Sequence, residues 1–160
     1  MITPPVTSTS KVDNRSDFQF IKDTATKHLS VTVTAGIFAA AEKGDLYSPI
    51  SGALYGFAAG MAMTTADFFI HKQGDIQNNV YKIVKHGTYL MINSVPYLLS
   101  TNPARKVAVN ICSYLGGWIC QESIGDKEYW RKGWTRETVG LSGVTIVGGL
   151  SLVAKAAFFK

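Results

Sequence analysis

Between residues 29 and 159 the sequence alternates five apolar stretches with short polar linkers, and this alternation constrains the fold more than any other feature. The stretches cover 29–41, 48–70, 81–100, 104–121 and 138–159. The four longer ones approach or reach the roughly 20 residues that a helix needs to cross a ~30 Å hydrocarbon layer. The first is short. It needs residues 25–28 below it, or a thinned bilayer, to do the same. The expected fold is all-α: an integral membrane helical bundle of four to five transmembrane helices with glycine-zipper packing. A soluble helical binding module with buried helices is the alternative, because a mean hydropathy of +0.10 is low for a membrane protein. A polar tail and polar loops account for part of that low value.

The linkers read as helix ends. Residues 1–28 divide into a polar tail and a short amphipathic helix, with Ser16 or Asp17 as its cap and Phe18, Ile21 and Ala25 on one face. Residues 29–160 form the transmembrane domain. Glu42, Lys43, Gly44 and Asp45 make a short turn, after which Ser48 caps and Pro49 opens the next helix. His71, Lys72 and Gly74 stop it. Asn93 and Pro96 predict a kink in the third segment, and Asn102 before Pro103 suits a cap for the fourth. Residues 125–137 carry Tyr129, Trp130 and Trp134 beside basic residues, a pattern suited to the lipid headgroup layer. The first 28 residues lack the apolar core of a secretory signal and are too acidic for a transit peptide, so targeting information is expected to be internal.

Charge offers an independent check. Only 17% of residues are charged, against about 25% in average soluble proteins. If all five segments span, eleven basic residues fall on one side: Lys11, Arg15, Lys22, Lys27, Lys72, Lys82, Lys85, Lys127, Arg131, Lys132 and Arg136. The other side holds five: Lys43, Arg105, Lys106, Lys155 and Lys160. This is the bias of the positive-inside rule and puts the N-terminus on the positive side. The formal net charge of +5 does not point to nucleic acid, because no basic stripe is interleaved with aromatics along one face.

One motif carries specific information. Gly52, Gly56 and Gly60 recur every four residues, with Thr64 next in the row. On a helix these stack into a groove without side chains, open to the backbone of another helix. Thr32, Gly36 and Ala40 form a similar row in the first segment, and a short turn joins the two, so an antiparallel hairpin packed through these faces is expected. Ser113 with Gly117, and Thr145 with Gly149, extend the pattern to the fourth and fifth segments, and Gly140 and Gly148 occupy a neighbouring row.

The residues Ser30, Thr32, Thr34 and Gly36 with Ala39, Ala40 and Ala41, then Gly52, Gly56 and Gly60, followed by a polar stretch over 71–79, carry a likeness over about a third of the chain. Through them the sequence resembles the family of mitochondrial inner-membrane import translocase subunits, which includes a small accessory subunit of respiratory complex I. The resemblance implies the mitochondrial inner membrane and either a respiratory-chain accessory role or protein translocation. It also implies four spans and an N-terminus in the intermembrane space, whereas segment counting gives five and the charge bias favours the opposite side. That family's third helix is glycine-rich, and 81–100 is not.

Catalytic chemistry is not suggested. No metal-ligand spacing, P-loop, dinucleotide fingerprint or nucleophile elbow occurs. Neither a cofactor nor a metal is expected. Cys112 and Cys120 sit eight residues apart, about 12 Å along a helix, and read as buried apolar thiols. His28, His71 and His86 fall at segment ends and read as interfacial polar groups. Asp67, Asn93 and Asn110 form the candidate intramembrane polar site. For Asp67 the expectation is local pairing with His71 or Lys72, one turn away. For Asn93, Asn110, Gln121 and Glu122 it is hydrogen bonding between helices. The expected function is a non-catalytic structural subunit of a multi-subunit membrane complex, with other membrane subunits and lipid as partners. A channel, transporter or translocase component is the alternative.

Overall fold

The structure is a computed structural model that describes residues 16–41, 47–73, 79–124 and 135–158. It is all-α, with five helices among the described residues: α1 Asp17–Ala40, α2 Tyr47–Gln73, α3 Asn79–Leu98, α4 Pro103–Ile124 and α5 Arg136–Phe158. Each apolar stretch lies within a helix or overruns its end by one or two residues. The expected turn at 42–45, the tail at 1–15 and the aromatic loop at 125–134 lie outside the described residues.

The first helix differs from expectation. Residue 28 is no boundary in it, because α1 runs unbroken for 24 residues, about 36 Å. Ser16 is its cap, with Oγ accepting from the Gln19 amide at 3.2 Å. The apolar face expected from Phe18, Ile21 and Ala25 does not form a buried stripe: Phe18 and Ile21 are exposed, and Phe20 is buried instead. Phe20 turns inward because His71 stacks on it, ring centroids 4.0 Å apart. α2 begins before the expected cap, so Pro49 occupies the first turn, where amides have no intrahelical partner. Asn102 precedes α4 with φ 56°, a left-handed conformation that asparagine tolerates, and its carbonyl accepts from the Lys106 amide at 3.3 Å.

The chain runs up and down. α1 is central and packs on α2, α4 and α5, while α3 leans on α2 and α4. Between α1 and α2 the backbones touch. A methyl group added at Gly36 would strike the Gly52 carbonyl, one at Gly52 the Gly36 carbonyl, and one at Gly56 the Thr32 carbonyl. At this separation Cα–H groups and carbonyls of facing helices are in contact. Ala40 lies against Gly52, and Leu29 and Thr32 against Gly60. Thr32 and Thr64 are buried and return their hydroxyls to the carbonyls one turn back, His28 and Gly60.

The α4–α5 contact uses a different row from the one expected. Thr145 is exposed, and Gly149 has open space around it. Gly140, Gly143 and Gly148 face inward, towards Gln121, Cys120 and Phe38. The physical reason is the helical period: residues 144 and 148 share a face, and 145 and 149 sit about 100° around from them. Val144 is fully buried, and it meets Gly117.

Two apolar clusters fill the interior. One gathers Val31, Ala35, Ala59, Met63, Tyr89, Tyr114 and Val144. The other gathers Ala39, Ala40, Tyr97 and Val109. Much of the remaining apolar mass faces outward, including Leu54, Phe57 and Phe69 on α2, Ile83, Met91 and Ile92 on α3, and Ile146, Leu150 and Val153 on α5. Two helices, over Ser48–Lys72 and Glu137–Phe158, are long and apolar enough to cross a membrane. α1, α3 and α4 are less apolar than that, because charged residues such as Lys27, Lys85 and Glu122 and polar ones such as His28, His86, Asn93, Asn110 and Gln121 dilute them.

Candidate functional site

A polar seam runs through the bundle. At one end Asp67 on α2 is buried with three partners from other helices. His28 Nε2 of α1 lies 2.7 Å from Oδ2. Lys85 Nζ of α3 donates to Oδ1 at 2.7 Å and Oδ2 at 2.9 Å. The Tyr81 hydroxyl donates to Oδ1 at 3.1 Å. This corrects the local pairing expected for Asp67. Lys72 reaches across to Asp17 instead, at 2.6 and 2.7 Å, and His71 stacks on Phe20. The reason is topological: antiparallel packing puts the C-terminal half of α2 beside the N-terminal halves of α1 and α3. A carboxylate taken out of water is then better served by two facing nitrogens than by flexible neighbours on its own exposed face.

Two of the histidines also depart from expectation: His28 and His86 are buried, not interfacial. Lys85 points inward as well, to Asp67. His86 Nδ1 lies 2.7 Å from the Tyr114 hydroxyl, and its ring stacks on Trp118 with centroids 4.1 Å apart. Tyr114 in turn donates to Met63 Sδ at 3.5 Å. Of the thiols, Cys112 is exposed and Cys120 half-buried, so neither is the buried core group expected.

Eight residues along α3 from Lys85, about 12 Å, the seam continues. Asn93 Nδ2 donates to Asn110 Oδ1 at 3.0 Å between α3 and α4. Asn93 Oδ1, Asn110 Nδ2, Ser94 Oγ and Ser113 Oγ are buried without a hydrogen-bond partner. Tyr97 Oη donates to the Gly36 carbonyl at 3.3 Å and so ties α3 to the glycine contact. Gln121 donates to the Lys27 carbonyl at 3.1 Å, and Glu122 pairs with Lys27 at 3.3 Å. Asp67 and the two asparagines therefore belong to separate hydrogen-bonded groups.

Sequence reasoning selected Asp67, Asn93 and Asn110 and missed Tyr81, His28, Lys85, His86 and Tyr114. A signal existed for some of them. His28 continues the row of Thr32, Gly36 and Ala40 at spacing four, so any helix packed on that row also covers His28. Tyr81 and Lys85 share a face by the same spacing. Among the described residues no group of three or more His, Cys, Asp or Glu is placed to hold a metal ion.

Compared with protein-family models, with curated proteins and with solved structures, the chain matches none.

Proposed function

We propose that this chain is an integral membrane helical bundle that serves as a non-catalytic structural subunit of a larger membrane complex. The observation that carries the reading is the inversion of polarity. Ionisable and amide side chains (Asp67, Lys85, His28, Asn93, Asn110) point inward, and large apolar ones (Leu54, Phe57, Met91, Ile146, Leu150) point outward. Lipid or apolar partner helices would cover such a surface at no cost, whereas water would not. In the most apolar stretch of each of the two apolar helices only 33% and 17% of the residues are buried within the bundle, unlike the core helix of a soluble domain. The buried Asp67 and Lys85 neutralise one another, which suits a scaffold rather than a reaction centre. Glycine contacts between α1 and α2 supply the attraction that hydrophobicity cannot supply in lipid. If the family resemblance holds, the membrane is the mitochondrial inner membrane and the complex a respiratory or import assembly.

The test is alkaline carbonate extraction of membranes from cells expressing the tagged protein, followed by affinity capture in mild detergent. Retention in the pellet with a stoichiometric set of membrane proteins is the expected result. Release to the supernatant would overturn the membrane reading, and a monodisperse monomer carrying a full activity would overturn the structural role.

The unpartnered polar atoms around Asn93 and Asn110 favour a second reading, a channel, transporter or translocase component. Replacing Asp67 with Asn should then change flux in liposomes, and unchanged flux counts against it.

A further inference from the structure

Asp67 carries a single negative charge, and nitrogen bases from two other helices face it. Lys85 of α3 contacts both carboxylate oxygens, at 2.7 and 2.9 Å, and His28 of α1 reaches Oδ2 at 2.7 Å. A carboxylate only accepts, so a neutral His28 carries its proton on Nε2, and the three groups sum to zero charge. A second proton, on Nδ1, leaves two cations sharing one carboxylate in an interior where His28 is 4% and Asp67 6% exposed. Among the described residues, Lys27 lies beside His28 on α1 and pairs with Glu122 of α4 at 3.3 Å. α2 adds His71, α3 adds Tyr81, Lys82 and His86, and Glu137 opens α5 at the same end of the bundle.

α1 and α2 have no room to rearrange under this repulsion, because Gly36, Gly52 and Gly56 hold their backbones in contact. The first half of α3 is held differently. It meets the bundle through polar groups, Tyr81 and Lys85 on Asp67 and His86 on Tyr114, while Val80, Ile83 and Val84 face outward. Gly87 follows directly, with open space around it and the low helix propensity of glycine.

We propose that His28, Asp67 and Lys85 form an acid-sensitive latch: when His28 takes up a second proton it keeps Asp67, Lys85 is released, and the first half of α3 swings away from α2 about Gly87. Histidine is the side chain whose charge changes between pH 5 and 8. Above about pH 6.5 His28 is neutral in the folded and the unfolded chain alike, and the latch is closed. Below that the unfolded chain binds one proton more than the closed bundle, so the stability of the closed form falls as the pH falls. The latch lies inside the bundle and does not rest on the membrane reading.

The experiment measures spin-label distances and thermal midpoints of the detergent-purified full chain between about pH 7.5 and about pH 5. With Cys112 and Cys120 replaced by Ser, labels at Thr65→Cys and Val84→Cys, both exposed positions, report α2 against α3. Labels at Thr26→Cys and Thr65→Cys report α1 against α2. Acid should lengthen the α2–α3 distance reversibly, leave the α1–α2 distance unchanged, and lower the midpoint by about 4–8 °C. His28→Gln still offers Asp67 an N–H but has no proton to gain, so both responses should vanish. Lys85→Met leaves Asp67 to His28 alone. Acid then completes an ion pair, and the midpoint should rise instead of falling, a reversal that keeps the test alive if His28→Gln fails to fold. A fixed α2–α3 distance in the parent chain, an undiminished response in His28→Gln, or an acid-induced fall in Lys85→Met would overturn the latch. A response abolished by His86→Gln but not by His28→Gln would overturn it as well.

Discussion

The α1–α2 and α3–α4 contacts hold helices together by opposite means. Between α1 and α2, Gly36, Gly52 and Gly56 remove side chains so that backbone meets backbone, and the polar pairs of the two helices, His28 with Asp67 and Asp17 with Lys72, lie further along towards one end. Between α3 and α4, Asn93 and Asn110 hydrogen-bond, and His86 stacks on Trp118 and approaches the Tyr114 hydroxyl. Gly87 on α3 has nothing within 4 Å of its would-be side chain. The first contact tolerates no added atom. The second depends on paired groups and should tolerate changes made in pairs. Close approach and polar matching are two devices that can specify which helix goes where when burial of apolar surface alone does not.

The largest effect is expected from Gly56→Val. Its side chain would meet the Thr32 backbone, so α1 and α2 must separate, and the loss should exceed about 4 kcal/mol. Loss of helix-pair crosslinking between engineered cysteines on α1 and α2 would register it, and an intact hairpin would break the comparison. Next comes Asp67→Leu, which strands Lys85 and His28 without their counter-charge and should cost about 3–5 kcal/mol by denaturant titration. Adding Lys85→Met should recover part of that loss, because the double change removes both buried charges. Asn110→Leu should cost only about 0.6–2 kcal/mol, and Asn93→Leu with Asn110→Leu less than the two single changes summed, since the pair leaves two atoms unpartnered already. The smallest change has the opposite sign. Gly149→Ala meets open space and should stabilise α5 by about 0.5–1 kcal/mol. A loss there would mean that α5 packs through the Thr145 and Gly149 row after all.

The positions of α2 to α5 and the α1–α2 contact were legible because both are local, whereas the merging of residues 17–28 with 29–40 into one helix was not. Hydrophobic length marks a helix, and spacing by four marks a face, without reference to any other part of the chain. Two rows in helices separated by only six residues of sequence have few ways to meet, which is why Gly36 faces Gly52. The α5 face was not legible, because Gly140, Gly143, Gly148 and Gly149 offer small residues on several sides, and only the position of α4 selects among them. The same holds for the polar seam. Asp67 announced itself as an acid in an apolar run, yet its partners come from residues 39 positions before and 18 after it. Sequence spacing within one helix cannot name them.

Local pattern was enough to show that the chain is helical, to place α2 to α5 within a few residues, and to show that Gly52, Gly56 and Gly60 leave one face bare. Only the packing of the helices turned His28 and Lys85 inward to Asp67 and buried Phe20 but not Phe18. The reason is that a helix's own geometry fixes which residues share a face, whereas the worth of a charge or ring depends on what another helix brings within about 4 Å of it.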